Sequence, residues 1–435
     1  MKLAYISSLV LLTTMLAGCG GSSKDEATAE SYLQFYNGAA IAGNTLLKAG
    51  DTSIGNAAYG DVSSLVALEA DTYAVKFVDV ASTDDLLEEN VALAKDMKTL
   101  FILTQQDQQY DHLSLSFKRD AELEDKFNLH IANLSEQYPQ LDIYIGAENT
   151  SFSDAELLES LSLHEVTTEA KSRDLGKFNL YLTEAGQTTP IFTAQSVHFA
   201  YENTYVMIVR DKHGPLAEQL SLDIVLNSSS VTAYNNVDAS AQFRLYNSLD
   251  QNIQLALDNT IVASVAAGQM GAYVSSEQGD YSLSVRTENG DVLLNSALLS
   301  LAAGDSKAVL LYNNEAQAAE ALTVLERDTP QLQAHDVLVA NLVPDFTKLQ
   351  FYFVRQNETI STAKYSIKNL EFKKQQSINL PKDDYAIALV QVADNGSTTL
   401  LDKTPSMMLE PGVHYSLLAE KDDAAPSGYR LKLVQ

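Results

Sequence analysis

The sequence predicts an all-β chain: a tandem array of about four immunoglobulin-like β-sandwich domains after a signal peptide and a flexible tether. Two observations predict the array. Short alternating apolar segments recur throughout, separated by turn residues. The segments also recur in the same order four times, at roughly 100-residue intervals, which is the size of one immunoglobulin-like sandwich.

The first marker is an apolar strand ending in asparagine. It reads Leu33-Gln34-Phe35-Tyr36-Asn37, Leu129-His130-Ile131-Ala132-Asn133, Phe243-Arg244-Leu245-Tyr246-Asn247 and Leu338-Val339-Ala340-Asn341. Asparagine suits a strand end because its side chain can bond the backbone of the following turn. A second strand follows in the last three units, at Leu141–Ile145, Ile253–Leu257 and Leu349–Phe353. Its alternation predicts one face in a core and the other in water. A third marker is an aromatic that opens a strand after turn residues: Tyr73, Phe178, Tyr281 and Tyr385. Their common register marks them as core or corner residues. A fourth is a constant spacing between two apolar segments, Phe192 to Val209, Leu294 to Leu311 and Leu401 to Leu418. Each unit closes on an alternating strand at Leu113–Leu115, Leu220–Leu222, Leu322–Val324 or Leu431–Leu433.

These markers divide the body into sandwiches at 31–122, 123–230, 231–329 and 330–435. The second is the longest, with its insertion placed in 149–173, where Ser153-Asp154-Ala155-Glu156 reads as a helix start. Ser82–Lys98 has helical features but aligns with the leucine-rich strands of later units. Four modules in a row would project on the order of 100 Å or more.

The N-terminus predicts location. Lys2 precedes an apolar run, Leu3 to Leu16, which is too short to span a bilayer and has the layout of an export signal. Leu16-Ala17-Gly18-Cys19 follows, and it resembles the lipobox of bacterial lipoproteins. The resemblance implies cleavage after residue 18 and lipidation of Cys19. Stable anchoring takes two or more acyl chains, and a lipoprotein cysteine carries three. Gly20, where an aspartate tends to retain such proteins in the inner membrane, implies the outer membrane, with the body facing the periplasm or the cell surface. Residues 19–30 are small and polar and read as a tether. The second and third units, through Asn133-Leu134-Ser135, Leu141–Gly146, Asn247-Ser248, Gly279-Asp280-Tyr281 and Ala303-Gly304, resemble the bacterial extracytoplasmic β-sandwich family called domain of unknown function 4397. That family implies tandem copies in exported proteins and no chemistry. Asp142 has glutamine at the corresponding positions 254 and 350, so it is not a shared functional residue.

Composition excludes several classes. The 435 residues hold 57 acidic and 29 basic side chains, a net charge of −28, which opposes nucleic-acid partners. One cysteine excludes an intrachain disulfide framework and cysteine-based zinc. The histidines 112, 130, 164, 198, 213, 335 and 414 show no metal-ligand spacing, and His130, His198 and His414 read as strand residues on solvent faces. There is no GxSxG and no phosphate loop. No catalytic, cofactor or metal residue is assigned. Calcium remains open as a partner without a motif to hold it. Its candidate acids are Asp84, Asp85, Glu88, Glu89, Asp120, Glu122, Glu124, Asp125, Asp383, Asp384, Asp422 and Asp423, with the junction Asp120–Asp125 foremost. Without tryptophan, a sugar-stacking surface lacks its usual residue.

The expected function is therefore a lipid-anchored, non-enzymatic envelope protein: a structural spacer, adhesin or scaffold. The membrane is its partner through Cys19, with an envelope protein or glycan as a further one. The alternative is a ligand-binding lipoprotein that recognises a glycan or peptide through sandwich loops, with the enlarged second unit as the place to look.

Overall fold

The computed structural model describes residues 29–393 and 395–435. The expected signal segment, Cys19 and most of the expected tether lie outside them. Among the described residues the regular secondary structure is nearly all strand, arranged as tandem β-sandwiches.

One topology occurs four times. In the first sandwich the eight strands are Glu30–Asn37, Thr45–Ala49, Thr52–Ala57, Val66–Glu69, Thr72–Asp79, Asp85–Ala92, Met97–Gln106 and Gln109–Lys118. One sheet runs in the order fourth, first, seventh, eighth; the other runs third, second, fifth, sixth. The first and seventh strands are parallel, and all other neighbours are antiparallel. The third and fourth sandwiches repeat this order, as does the second, in which the fourth strand is split into Glu165–Val166 and Lys171–Asp174. Thr232–Asn235, which the sequence places in the third unit, is an extra strand on the eighth strand of the second sandwich. Ser82–Lys98 forms strand, as expected. The predicted helix start at Ser153–Glu156 is only a 3-10 turn, Phe152–Asp154, followed at once by the strand Glu156–Ser162. The alternating leucines of that strand bury Leu158 and Leu161 in the core, and this burial overrides the local helix signal.

Each sandwich encloses its own core between its two sheets, and the asparagines lock that core at one end. Asn37, Asn133, Asn247 and Asn341 are fully buried. Each accepts on Oδ1 from the N–H two residues on, at Ala39, Ser135, Leu249 and Val343. Each donates from Nδ2 to a carbonyl at the end of the third strand or just beyond it, in the opposite sheet: Ala57, Leu161, Val265 and Leu370. The corner tyrosines also repeat. Tyr73, Tyr281 and Tyr385 donate to the carbonyl four residues upstream, on Glu69, Glu277 and Pro381.

The first and seventh strands lack the wet face that alternation predicts for the second strand. They are buried on both faces. Phe101 and Leu103 point into the first core, whereas Leu100 and Ile102 point out of it. The outward set meets Ala132, Leu134, Val206, Ile208 and Val225 of the second sandwich in a further apolar cluster. The third and fourth sandwiches join in the same way. Tyr246, Ala308, Leu310, Tyr312 and Val324 lie against Ala340, Leu342, Leu418 and Val434. The four units are therefore two face-packed pairs rather than a line of separate beads. Continuous runs such as Val206–Val209 and Val309–Leu311 reflect this, since a strand between two cores has no polar face.

Candidate functional site

The buried polar groups concentrate at these joins. In the first pair, Tyr36 Oη donates to Asp223 Oδ2 at 2.6 Å. Arg210 Nε donates to the same oxygen at 2.7 Å, and Ser221 Oγ donates to the other carboxylate oxygen at 2.7 Å. Neither Tyr36 nor Asp223 is exposed. Burial, and then the Asp223 carboxylate, raise the Tyr36 hydroxyl well above its ordinary value. The buried anion is compensated on three sides, the condition under which an interior ion pair persists. Around it, Lys98, also fully buried, donates from Nζ to Leu226 O at 2.8 Å and Asn227 Oδ1 at 3.0 Å. Gln34 Nε2 reaches Ser228 O at 2.8 Å.

The second pair repeats the arrangement with its ends exchanged. Tyr246 Oη bonds Glu420 Oε1 and Oε2 at 2.9 and 3.0 Å, and Arg430 Nε pairs with Glu420 at 2.6 Å. The acid lies on the eighth strand and the arginine on the seventh in the first pair. In the second pair the acid is on the seventh and the arginine on the eighth. Gly60 and Gly268 sit under the two arginines, each with positive φ and each donating its N–H to Asn37 O or Asn247 O at 2.8 Å. A second buried pair, Arg244–Glu326 at 2.7 Å, also accepts bonds from Tyr273 and Ser306.

A smaller set of contacts connects the pairs. Lys212 pairs with Asp328 at 2.9 Å, His213 N donates to Asp328 O at 2.9 Å, and His414 Nε2 donates to His213 O at 2.8 Å. Beside this contact, a cleft of about 600 Å³ opens between the first and fourth sandwiches. Asn44, Asn56, Asp61, Gln333, Asp336 and Asn379 are on its walls, over small residues such as Ala40, Ala57 and Ala334.

The acidic candidates do not assemble. Among the described residues no group of three or more His, Cys, Asp or Glu could hold a metal. Asp85 and Glu88 pair with Lys76, Glu89 with His112, Asp120 with Arg119 and Asp383 with Arg355, while Asp422 joins Arg430. Asp142 is structural, accepting from Ser160 Oγ and Gly186 N. His198 is exposed, as expected. His130 is not: it is buried in the first join, stacked on Phe117 at 5.6 Å. His414 is half-buried at the contact between pairs. Residue-type motifs gave no sign of Tyr36, Arg210, Asp223, Tyr246, Glu420 and Arg430. A usable signal was present: the residue before the repeated asparagine alternates Tyr36, Ala132, Tyr246, Ala340. Each tyrosine belongs to one partner of a join and each alanine to the other.

Among the described residues no helix is long and apolar enough to cross a membrane. No protein-family model matches the chain, and no curated protein matches it. Among solved structures the chain is similar to one described as the Bacillus anthracis TIE protein, at 10% identity, with 88% of this chain and 66% of that chain covered and a TM-score of 0.16. The chain thus spans just under two thirds of that structure.

Proposed function

We propose that the chain is a lipid-anchored, non-enzymatic protein of the cell envelope, held to the outer membrane through Cys19 and acting as a structural spacer, adhesin or scaffold. One observation supports this reading above the rest. The buried ionisable groups that would otherwise suggest chemistry, Tyr36–Asp223–Arg210 and Tyr246–Glu420–Arg430, fasten one sandwich to the next. The lipobox resemblance supplies the anchor. The net charge of −28 would keep the body itself off anionic lipid. Cys19→Ser should move the protein from the membrane to the soluble fraction; full membrane retention of that variant would overturn the anchor. Protease added to intact cells then separates an adhesin, which is digested, from a periplasmic scaffold, which is protected.

The second reading, a ligand-binding lipoprotein, draws support from the 600 Å³ cleft rather than from the loops of the second sandwich. Its carboxamide-rich walls suit the hydroxyls of a glycan or the backbone of a peptide. Binding on a glycan or peptide array that is lost in an Asn379→Ala, Asp61→Ala variant would establish it over the first reading.

A further inference from the structure

We propose that the cleft between the first and fourth sandwiches is a docking groove for an extended peptide that carries a basic side chain. This deepens the ligand-binding reading of the cleft and rests on it. Two edge strands reach the groove. Thr52–Ala57 is the outer strand of its sheet in the first sandwich, and Gln375–Pro381 is the outer strand of its sheet in the fourth. Asn56 of the one and Asn379 of the other lie on the cleft walls. The ladder register fixes where their main-chain groups point. Lys382 N donates to Gln333 O at 3.0 Å, so His335–Leu380 and Val337–Ile378 are the next hydrogen-bonded pairs of that ladder. Asn379 lies opposite Asp336, between those pairs, and therefore turns its N–H and C=O away from the sheet. In the first sandwich Gly50 N donates to Ala74 O and Val80 N to Asn44 O, so Leu46 and Lys48 bond the fifth strand. Thr45, Leu47 and Ala49 are left to bond the third strand, and Asn56, opposite Leu46, turns its N–H and C=O outward. Among the described residues these four main-chain groups have no hydrogen-bond partner. Unpaired edge groups are a template for one more strand.

The walls set the chemistry of that strand. Ala57, Ala58 and Ala334 carry no bulk that would hold a main chain off the edges. Among the described residues no lysine or arginine lines the cleft, whereas Asp61 and Asp336 do. Asp336 is paired with Arg327 at 3.2 Å. The Asp61 carboxylate is exposed, and none of the ion pairs among the described residues includes it. Arg210, whose charge reaches Asp61, is committed to Asp223 at 2.7 Å. A cation that enters the groove therefore meets a carboxylate with no ion-pair partner of its own, and the net charge of −28 steers cations toward it. Tyr59 is the one aromatic on the walls among the described residues. Its ring is already packed against the Arg210 guanidinium at 5.1 Å and the His213 ring at 5.1 Å, so a sugar finds no free ring to stack on. Edge main chain, small side chains and a lone acid together select a basic peptide over a glycan. A volume of about 600 Å³ suits a few residues of extended chain.

Fluorescence anisotropy of the purified full chain with labelled peptides of about ten residues tests this. The probes are an alternating lysine–threonine peptide, its glutamate–threonine counterpart, and two copies of the lysine peptide N-methylated on every second amide, one on the lysines and one on the threonines. A labelled chito-oligosaccharide is the glycan probe. The lysine peptide should bind and the glutamate peptide should not. At least one N-methylated copy should bind about tenfold more weakly, because it loses two or more main-chain bonds to an edge. Asp61→Asn should weaken the lysine peptide about two- to fivefold, the range of a partly solvated ion pair. Ala58→Trp, at an exposed wall position, fills the groove and should abolish binding. Equal binding of the lysine and glutamate peptides would overturn the proposal, as would undiminished binding of both N-methylated copies. Binding of the saccharide alone, lost in Ala58→Trp, would also overturn it and would leave the cleft as a glycan site. Binding that Ala58→Trp leaves intact, or no binding by any probe, would overturn the proposal together with the ligand-binding reading of the cleft.

Discussion

Tyr36 of the first sandwich donates a 2.6 Å hydrogen bond to Asp223 of the second, and neither side chain reaches water. A charge-assisted bond in such a place should contribute more than a surface one. Tyr36→Phe is expected to cost about 1.5–3 kcal/mol, because it removes one donor from a buried carboxylate that keeps two others. Asp223→Ala should cost more, about 3–5 kcal/mol, because it strands Arg210. Urea titration of the full chain reads both; a Tyr36→Phe variant as stable as the parent would show the bond to be idle.

Gly60 gives a geometric version of the same test. Its φ is +78°, and a Cβ added there would lie 2.6 Å from the Arg210 guanidinium. Gly186 has a similar φ, +74°, with nothing within 4 Å of an added Cβ. Gly186→Ala therefore measures backbone strain alone, on the order of 1 kcal/mol. Gly60→Ala should cost clearly more, because the arginine must move from its carboxylate. Equal losses in thermal unfolding would mean that Arg210 adapts freely.

Much of this architecture was legible in the residues, and the reason is physical. Alternation reports a strand with one core face, and the turn chemistry around Asn37, Asn133, Asn247 and Asn341 is local, so both appear in sequence. The sandwiches and their repeated order follow from them. Pairing was harder to read. A strand buried on two faces, such as Thr204–Asp211, yields an unbroken apolar run that fits a core strand of any origin. Arg210 and Asp223 are brought together by pairing of the seventh and eighth strands, with Tyr36 arriving from another sandwich, and no short motif encodes that meeting. The alternation of Tyr36, Ala132, Tyr246 and Ala340 was the one trace of a two-sandwich period.

The four asparagines should behave as equivalent fasteners. Asn247→Ala removes the Oδ1 acceptor for Leu249 N and the donor to Gln251, Val265 and Ala266. Leaving buried backbone groups unmet costs about 1–3 kcal/mol per group. Exchange of the Leu249 amide should accelerate in that variant, and an unaltered rate would assign its protection to the surrounding backbone instead.

Lys98 predicts a pH dependence. Burial, with Arg119 adding to it, pushes its amine down to about 7 in the folded chain. The unfolded chain keeps the proton to about 10.4. Between these values the unfolded state binds more protons, so this residue makes stability rise with pH across that window, by at most ~1.4 kcal/mol per pH unit, and fall as pH drops toward 7. Lys98→Met should remove that slope. Parallel stability–pH curves for parent and variant would show that the amine stays charged in the join.

The pair, rather than the single sandwich, is the unit on which the account depends. A fragment of residues 29–238 retains the cluster around Leu100, Ile102, Val206 and Ile208 together with Tyr36–Asp223–Arg210, whereas residues 29–122 expose one half of it to water. Amide spectra and urea unfolding of the two fragments decide the matter. The longer fragment should be fully dispersed and unfold in one transition, and the shorter one should be markedly less stable or unfolded. A first sandwich as stable alone as it is beside the second would contradict the account.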